Sequence, residues 1–253
     1  MKRTFLQLLV LAAAAVIPLR AEPVDLLIVA TDDAALQPII EKMAQPQVET
    51  RGAWTFWSGT LSGKSVVLTR SEGDPLNAVA ATALAVRLHP PRLIVSFGTA
   101  RAHDLALRAG DVVVSASFAA FDGMYSPHLG LDEGSRPAQW EKLPHLLMTA
   151  GEKETAAESF PADSSALTLA LALAPVHGRV VRGVLGSANQ VNREADRIEW
   201  LRAKWHTSTE DGESAHVAGC AALLGVPVIG FRIVDGPVAD GATFTLSFVE
   251  AWR

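Results

Sequence analysis

The sequence predicts an α/β fold, a three-layer α/β/α domain around a mixed, mostly parallel central sheet. Three observations predict it. Val24–Ala30 and Arg92–Gly98 are apolar runs of the kind found in strands buried on both faces. Helical segments repeatedly separate such runs, the pattern of a sheet held between helical layers. One pair of segments, Trp54–Ser58 and Thr60–Thr69, instead alternates around a Ser62-Gly63 turn and reads as an antiparallel hairpin.

The elements follow in order. After the first strand, Ala34–Ala44 is helical, and Asp32 or Asp33 can cap it. Beyond the hairpin, Asn77–Leu88 is an Ala-rich helix stopped by His89-Pro90-Pro91. Arg92–Gly98 and, past a Gly110 turn, Asp111–Phe118 are strands. Residues 122–162 are poor in periodicity and rich in Pro, Gly and charge, so a long excursion facing the ligand is expected. Ser164–Leu173 is a helix, Arg179–Gly186 a strand, Asp196–Lys204 a short helix, Ser214–Leu224 a helix and Val226–Val234 a strand. Leu246–Trp252 reads as the start of a last helix. There is no internal repeat, linker or low-complexity tract, so 22–253 reads as a single domain.

Residues 1–21 read as a secretory signal peptide. Lys2 and Arg3 precede an uncharged run from Phe5 to Ile17, and small residues offer a cleavage site before Glu22. That run of 13 residues is too short to span a bilayer. A periplasmic or secreted location is therefore expected, with no membrane contact after cleavage. Removing the leader leaves 19 basic against 27 acidic residues, a net charge of −8. A surface of that sign argues against nucleic-acid partners. Cys220 is the only cysteine, so no internal disulfide can form, and it reads as a buried, inert thiol.

The candidate chemistry sits at strand ends. Strand one ends at Thr31-Asp32-Asp33, the strand at 92–98 at Gly98-Thr99-Ala100-Arg101, and the strand at 179–186 at Ser187-Ala188-Asn189. Asp235 closes the strand at 226–234, and Asp211 and Glu213 open the helix before it. In a parallel sheet these ends converge where ligands bind. Each also has a plain structural reading, as a cap, a turn or a dipole partner; only the set points to a site. His103, His128 and His216 fit no metal-binding spacing, and no metal or cofactor is expected.

Five ordered segments carry a resemblance. They are Trp57–Leu68 (x-x-G-x-L-x-G-x-x-V-x-L); Leu76–Thr82 (V-N-A-A-x-A-T); Ile94–Ala100 followed by Leu107–Ser115 (G-[ST]-A, then x-G-D-[IV]-V-V-S); Val181–Ser187 (V-R-G-x-x-x-S); and Asp211–Asp235 (E-M-E helix, V-P turn, R-x-I-S-D strand end). Over about residues 25 to 250 the chain resembles the nucleoside phosphorylase superfamily, and most its 5′-methylthioadenosine/S-adenosylhomocysteine nucleosidase branch. The resemblance implies a nucleoside phosphorylase-like fold, a homodimer, a small-molecule nucleoside as ligand, and cleavage of an N-glycosidic bond through an oxocarbenium-like sugar. It implies that Asp235 protonates the purine and that Glu213 holds the ribose hydroxyls. Asp33, the closest acid to the family's first-loop Glu, would help activate water. Asp211, Gly98, Thr99, Ser187 and Asn189 would line the substrate. Val191 takes the place of an aromatic that stacks on the base, and the Val191 and Asn192 backbone would read its edge. Asp122 matches an acidic position after the strand at 111–118.

The sequence departs from the family in places. Asp235 follows Arg232 by three residues instead of four, so Gly236 falls on the strict position and Asp240 is a fallback acid. Gly212 replaces a Met that packs on the sugar, leaving that face emptier. Arg101 adds bulk where the family has glycine. Ser71-Glu72-Gly73-Asp74 loses two glycines, and its acids would repel phosphate. Hydrolysis is therefore expected over phosphorolysis; a phosphorylase and a non-catalytic nucleoside-binding or storage protein on the same fold remain open alternatives.

Overall fold

The structure is a computed structural model that describes residues 22–149, 153–175 and 177–237. The expected signal peptide, Asp240 and the helix expected at 246–252 lie outside the described residues.

The chain begins with β1 (Val24–Ala30), α1 (Asp33–Ile40), β2 (Ala44–Arg51), β3 (Trp54–Leu61), β4 (Lys64–Arg70) and α2 (Pro75–Leu88). There follow β5 (Pro91–Ala102), β6 (Val112–Ala120), β7 (Met124–Tyr125), β8 (Glu141–Lys142), β9 (His145–Thr149), β10 (Lys153–Ala157) and β11 (Phe160–Pro161). The remainder is α3 (Ser164–Leu171), β12 (Val180–Ser187), α4 (Ala195–Trp205), β13 (Thr209–Asp211), α5 (Ser214–Leu224) and β14 (Val228–Pro237).

Ten strands form one mixed sheet in the order β11-β6-β12-β13-β5-β1-β4-β3-β2, with β14 pairing both β5 and β6. β1 lies parallel between β4 and β5. β14 runs parallel to β5 and antiparallel to β6. The pairings β5–β14–β6–β12–β13–β5 therefore close a ring, so this half of the sheet curls on itself and the ends of its strands gather at one rim. Leu27, Val67, Ile94, Phe118 and Leu185 form the dry centre of the main core.

Local chemistry explains the elements. Asp32 caps α1 by accepting from the Ala35 amide at 2.8 Å. Asp74 caps α2 by accepting from the Leu76 and Asn77 amides, with Pro75 as first helical residue. Ser62 and Gly63 both have positive φ, the geometry that lets a two-residue turn join twisted strands. α5 is buried almost all round, and its small residues let it approach closely: a side chain at Gly219 would meet the Phe160 ring at 3.1 Å. Cys220 on this helix is buried, and desolvation pushes its thiol up to about 11, so it stays protonated.

Three features differ from the sequence reading. The first helix stops at Ile40 rather than Ala44, and the chain then forms β2. β2 is an exposed edge strand containing Pro46, without the alternation that marks a half-buried strand. The excursion at 122–162 holds short pairings: β7 with β8, β9 with β10, and β11 with β6. β13, only three residues long, was not foreseen either; it closes the ring and places Glu210 and Asp211.

Candidate functional site

At the rim of the ring lies an open cavity of about 390 Å³, within the size range of small-molecule sites. Thr31 reaches it from the end of β1, Gly73 from the turn after β4, and Thr99 and Arg101 from β5. Asn189, Gln190 and Val191 enter from the loop after β12, Glu210–Glu213 from β13 and the start of α5, and Asp235 from β14.

Beneath the cavity is a buried charge cluster centred on Arg232, which has no solvent exposure. Its Nε donates to Asp211 Oδ2 at 3.0 Å. Its Nη2 donates to Glu213 Oε1 at 2.9 Å and to Ser96 Oγ at 3.1 Å. Asp211 also accepts from Ser187 Oγ, from the amides of Glu213 and Ser214, and from Ser214 Oγ, all within 2.6–2.8 Å. Both its oxygens are thus occupied, and it acts as the cap and anchor of α5. That leaves Glu213 free to face the cleft. Glu213 Oε1 accepts from Thr31 Oγ1 at 2.6 Å, while Oε2 takes no hydrogen bond among the described residues. Burial, aided by the Asp211 charge, pushes the Glu213 carboxyl up to about 7 against the pull of Arg232.

Asp235 reaches the cavity through a β-bulge. Val234 pairs with Ala100 and Gly236 with Arg101, so Asp235 is an extra residue opposite no partner. A bulge re-aims a side chain and absorbs one position of register. Burial pushes the Asp235 carboxyl up to about 6, with Arg101 pulling the other way, and its buried Oδ1 has no hydrogen-bond partner.

Of the predicted residues, Thr99, Asn189, Val191, Asp211, Glu213 and Asp235 line one cavity. Four others are placed elsewhere. Asp33 sits in the first turn of α1, is 69% exposed and pairs with Arg70, lining a separate hollow with Trp57. Thr31, not an acid, is what the first loop contributes. Ser187 is fully buried, donating to Asp211 and accepting from the Ala215 amide. Gly98 works through space, since a Cβ there would come within 2.0 Å of Thr31 Oγ1 and break its bond to Glu213. Asn192 lies buried behind the loop, and its amide donates to Glu210, so it is not free to read a base. Val191 is 66% exposed and supplies no stacking ring.

Other expectations change too. The face beside Gly212 is not empty: the Gly73 carbonyl fills it, 2.0 Å from where a Cβ would stand. Gly212→Ala is therefore expected to cost roughly 1–3 kcal/mol, visible as a lower thermal midpoint; an unchanged midpoint would show that the 71–74 turn yields freely. Glu72 pairs with Arg70 and Asp74 caps α2, so neither is among the residues lining the cavity. Asp122 hydrogen-bonds His216 at 3.0 Å, with His145 at 3.8 Å, tying β9 to α5; the His216 bond chiefly holds its carboxyl below the usual range. Sequence reasoning named Thr31 only as part of the end of strand one, missed Gln190 and Glu210, and set His103 aside. Among the described residues no group of three or more His, Cys, Asp or Glu could hold a metal ion.

Comparison with known proteins places this geometry. Residues 25–252 match the model of the phosphorylase superfamily. A 5′-methylthioadenosine/S-adenosylhomocysteine nucleosidase of Haemophilus influenzae is 26% identical over 216 residues, covering 84% of this chain and 85% of that protein. One from Pseudoalteromonas translucida is 34% identical, but over 76 residues, 30% of this chain and 32% of that protein. The Neisseria meningitidis nucleosidase of the same name, solved with methylthio-immucillin-A, superposes with a TM-score of 0.71 at 20% identity, covering 90% of this chain and 91% of that one. Futalosine hydrolase of Helicobacter pylori gives 0.72 at 19% identity, with 90% and 93% covered. At these identities the structural likenesses establish the fold.

Proposed function

We propose, for a chain that belongs to the phosphorylase superfamily, that the cleft hydrolyses the N-glycosidic bond of a nucleoside, releasing the base and the free sugar. The observation that carries the reading is that Asp235 and Glu213, from different elements, line one nucleoside-sized cavity. An acid with a pKa near 6 is suited to proton transfer at neutral pH. Protonating the base makes it a better leaving group, and the C–N bond breaks as positive charge builds on the sugar. Glu213, fixed on one oxygen by Thr31 and Arg232, offers its other oxygen to the sugar hydroxyls. Water adds to the anomeric carbon, and its proton restores the one Asp235 gave up.

The cavity wall favours water over phosphate as the nucleophile. Among the described residues Arg101 is the one cation lining it, beside Asp235, and Arg232 beneath is already engaged by Asp211 and Glu213, so phosphate would meet no free cluster of positive charge. The relatives are nucleosidases of 5′-methylthioadenosine and S-adenosylhomocysteine, and this chain is read as acting on purine nucleosides or thio-nucleosides of that kind. The reading extends to an exported, two-chain protein, tested by N-terminal sequencing of the mature chain and by light scattering.

The deciding experiment incubates the protein with a panel of nucleosides, with and without phosphate, and measures free base by chromatography. Phosphate-independent release is expected; no release from any nucleoside, or release only with phosphate, would overturn the reading. Glu213→Gln removes a charge-assisted bond to the sugar and is expected to raise KM roughly ten- to a hundredfold. Unchanged kinetics would remove Glu213 from the site.

A further inference from the structure

The loop after β12 walls the cleft with Asn189, Gln190 and Val191, and Asn192 ties it down. Asn192 is 8% exposed. Its backbone amide donates to Glu210 Oε1 at 3.0 Å and its side-chain amide to Oε2 at 2.5 Å. His103 Nε2 lies 3.0 Å from the same Oε2, and His103 Nδ1 2.7 Å from Thr207 Oγ1. His103, Thr207 and Glu210 are all at most 5% exposed. With the imidazole proton on Nε2, His103 donates to Glu210 and accepts from Thr207, so every member is satisfied. A buried polar network that is fully satisfied holds its parts rigidly. A carboxylate whose two oxygens already accept three bonds has little left for acid–base work.

We propose that Glu210 is the positioning residue that fixes the Asn189–Val191 wall of the cleft, acting through Asn192 and braced by His103. This rests on the nucleosidase reading in one respect, that the wall meets the base of a bound nucleoside. Because Glu210 occupies the Asn192 backbone amide, that amide is withheld from a bound base.

The test compares the wild type with Glu210→Ala and Glu210→Gln by hydrogen exchange and by the kinetics of base release. In Glu210→Ala, exchange across residues 188–193 is expected to accelerate at least ~10-fold while α5 stays protected. KM is expected to rise about 10-fold with kcat changed less than ~3-fold, since a loosened wall weakens binding more than chemistry. Glu210→Gln keeps an acceptor oxygen and is expected to recover part of both effects. Unchanged exchange in Glu210→Ala, or a fall in kcat at constant KM, would overturn the proposal. If the wild type releases no base, the nucleosidase reading falls alone and the exchange result still decides this one. Should Glu210→Ala not fold, Asn192→Ala removes the side-chain bond of the tie and keeps the backbone one, so faster exchange across residues 188–193 and a higher KM are expected in smaller measure, and unchanged exchange and KM would overturn the proposal.

Discussion

Asp235→Asn is expected to lower base release by roughly 10²–10⁴-fold, the usual contribution of a general acid, without loss of folding. The residue stands half-buried on a bulge among those lining the cavity, with one buried oxygen lacking a partner. Asparagine has the same shape and no proton to give. The wild-type rate should fall about tenfold per pH unit above about 6, as the required acid form is lost, and Asp235→Asn should lack that limb. The stability effect has the opposite sign to that of a paired carboxylate. The pKa is raised from 3.8 to about 6, so stability is greatest below the lower value and declines as pH rises through that window. Asp235→Asn removes the decline and should be at least as stable as the wild type at neutral pH, read by thermal melting. Full activity in Asp235→Asn would transfer the acid to another group.

Arg232→Met is expected to destabilise the protein by about 3–5 kcal/mol, measured by urea unfolding. Arg232 is fully enclosed and answers two buried carboxylates, Asp211 and Glu213. Methionine fills much of the volume but leaves both acids without their counter-charge. Asp211 also organises the start of α5, so the damage should spread to that helix. A loss below about 1 kcal/mol would mean that the acids take up protons and that the ion cluster adds little to the fold.

The path from sequence to site was legible in some places and closed in others. Glu213 and Asp235 were readable because each stands beside a marked element boundary, the start of an Ala-rich helix and the end of an apolar strand. The spacing from Arg232 to Asp235 is one residue shorter than the family pattern, and nothing in the sequence announces that Asp235 stands on a bulge against β5. Asp33 was chosen as the nearest acid along the chain, but the first turn of α1 carries it to the outer flank beside Arg70. Thr31 and Glu210 carried no signal that a hydroxyl and an acid at those positions would meet Glu213 and Asn192.

Continuous apolar runs, the helical segments between them, capping aspartates and turn residues determined the layers and most element positions. These are local properties, felt within a few residues, and they are written in the chain. Tertiary structure alone decided which acids face the cleft, because that depends on the register between strands far apart in sequence. The ring of β5, β14, β6, β12 and β13 brings residue 31 to 213, 232 to 211, and 192 to 210. A single bulged residue or a one-turn offset changes such pairings without altering the hydrophobic pattern that sets the fold.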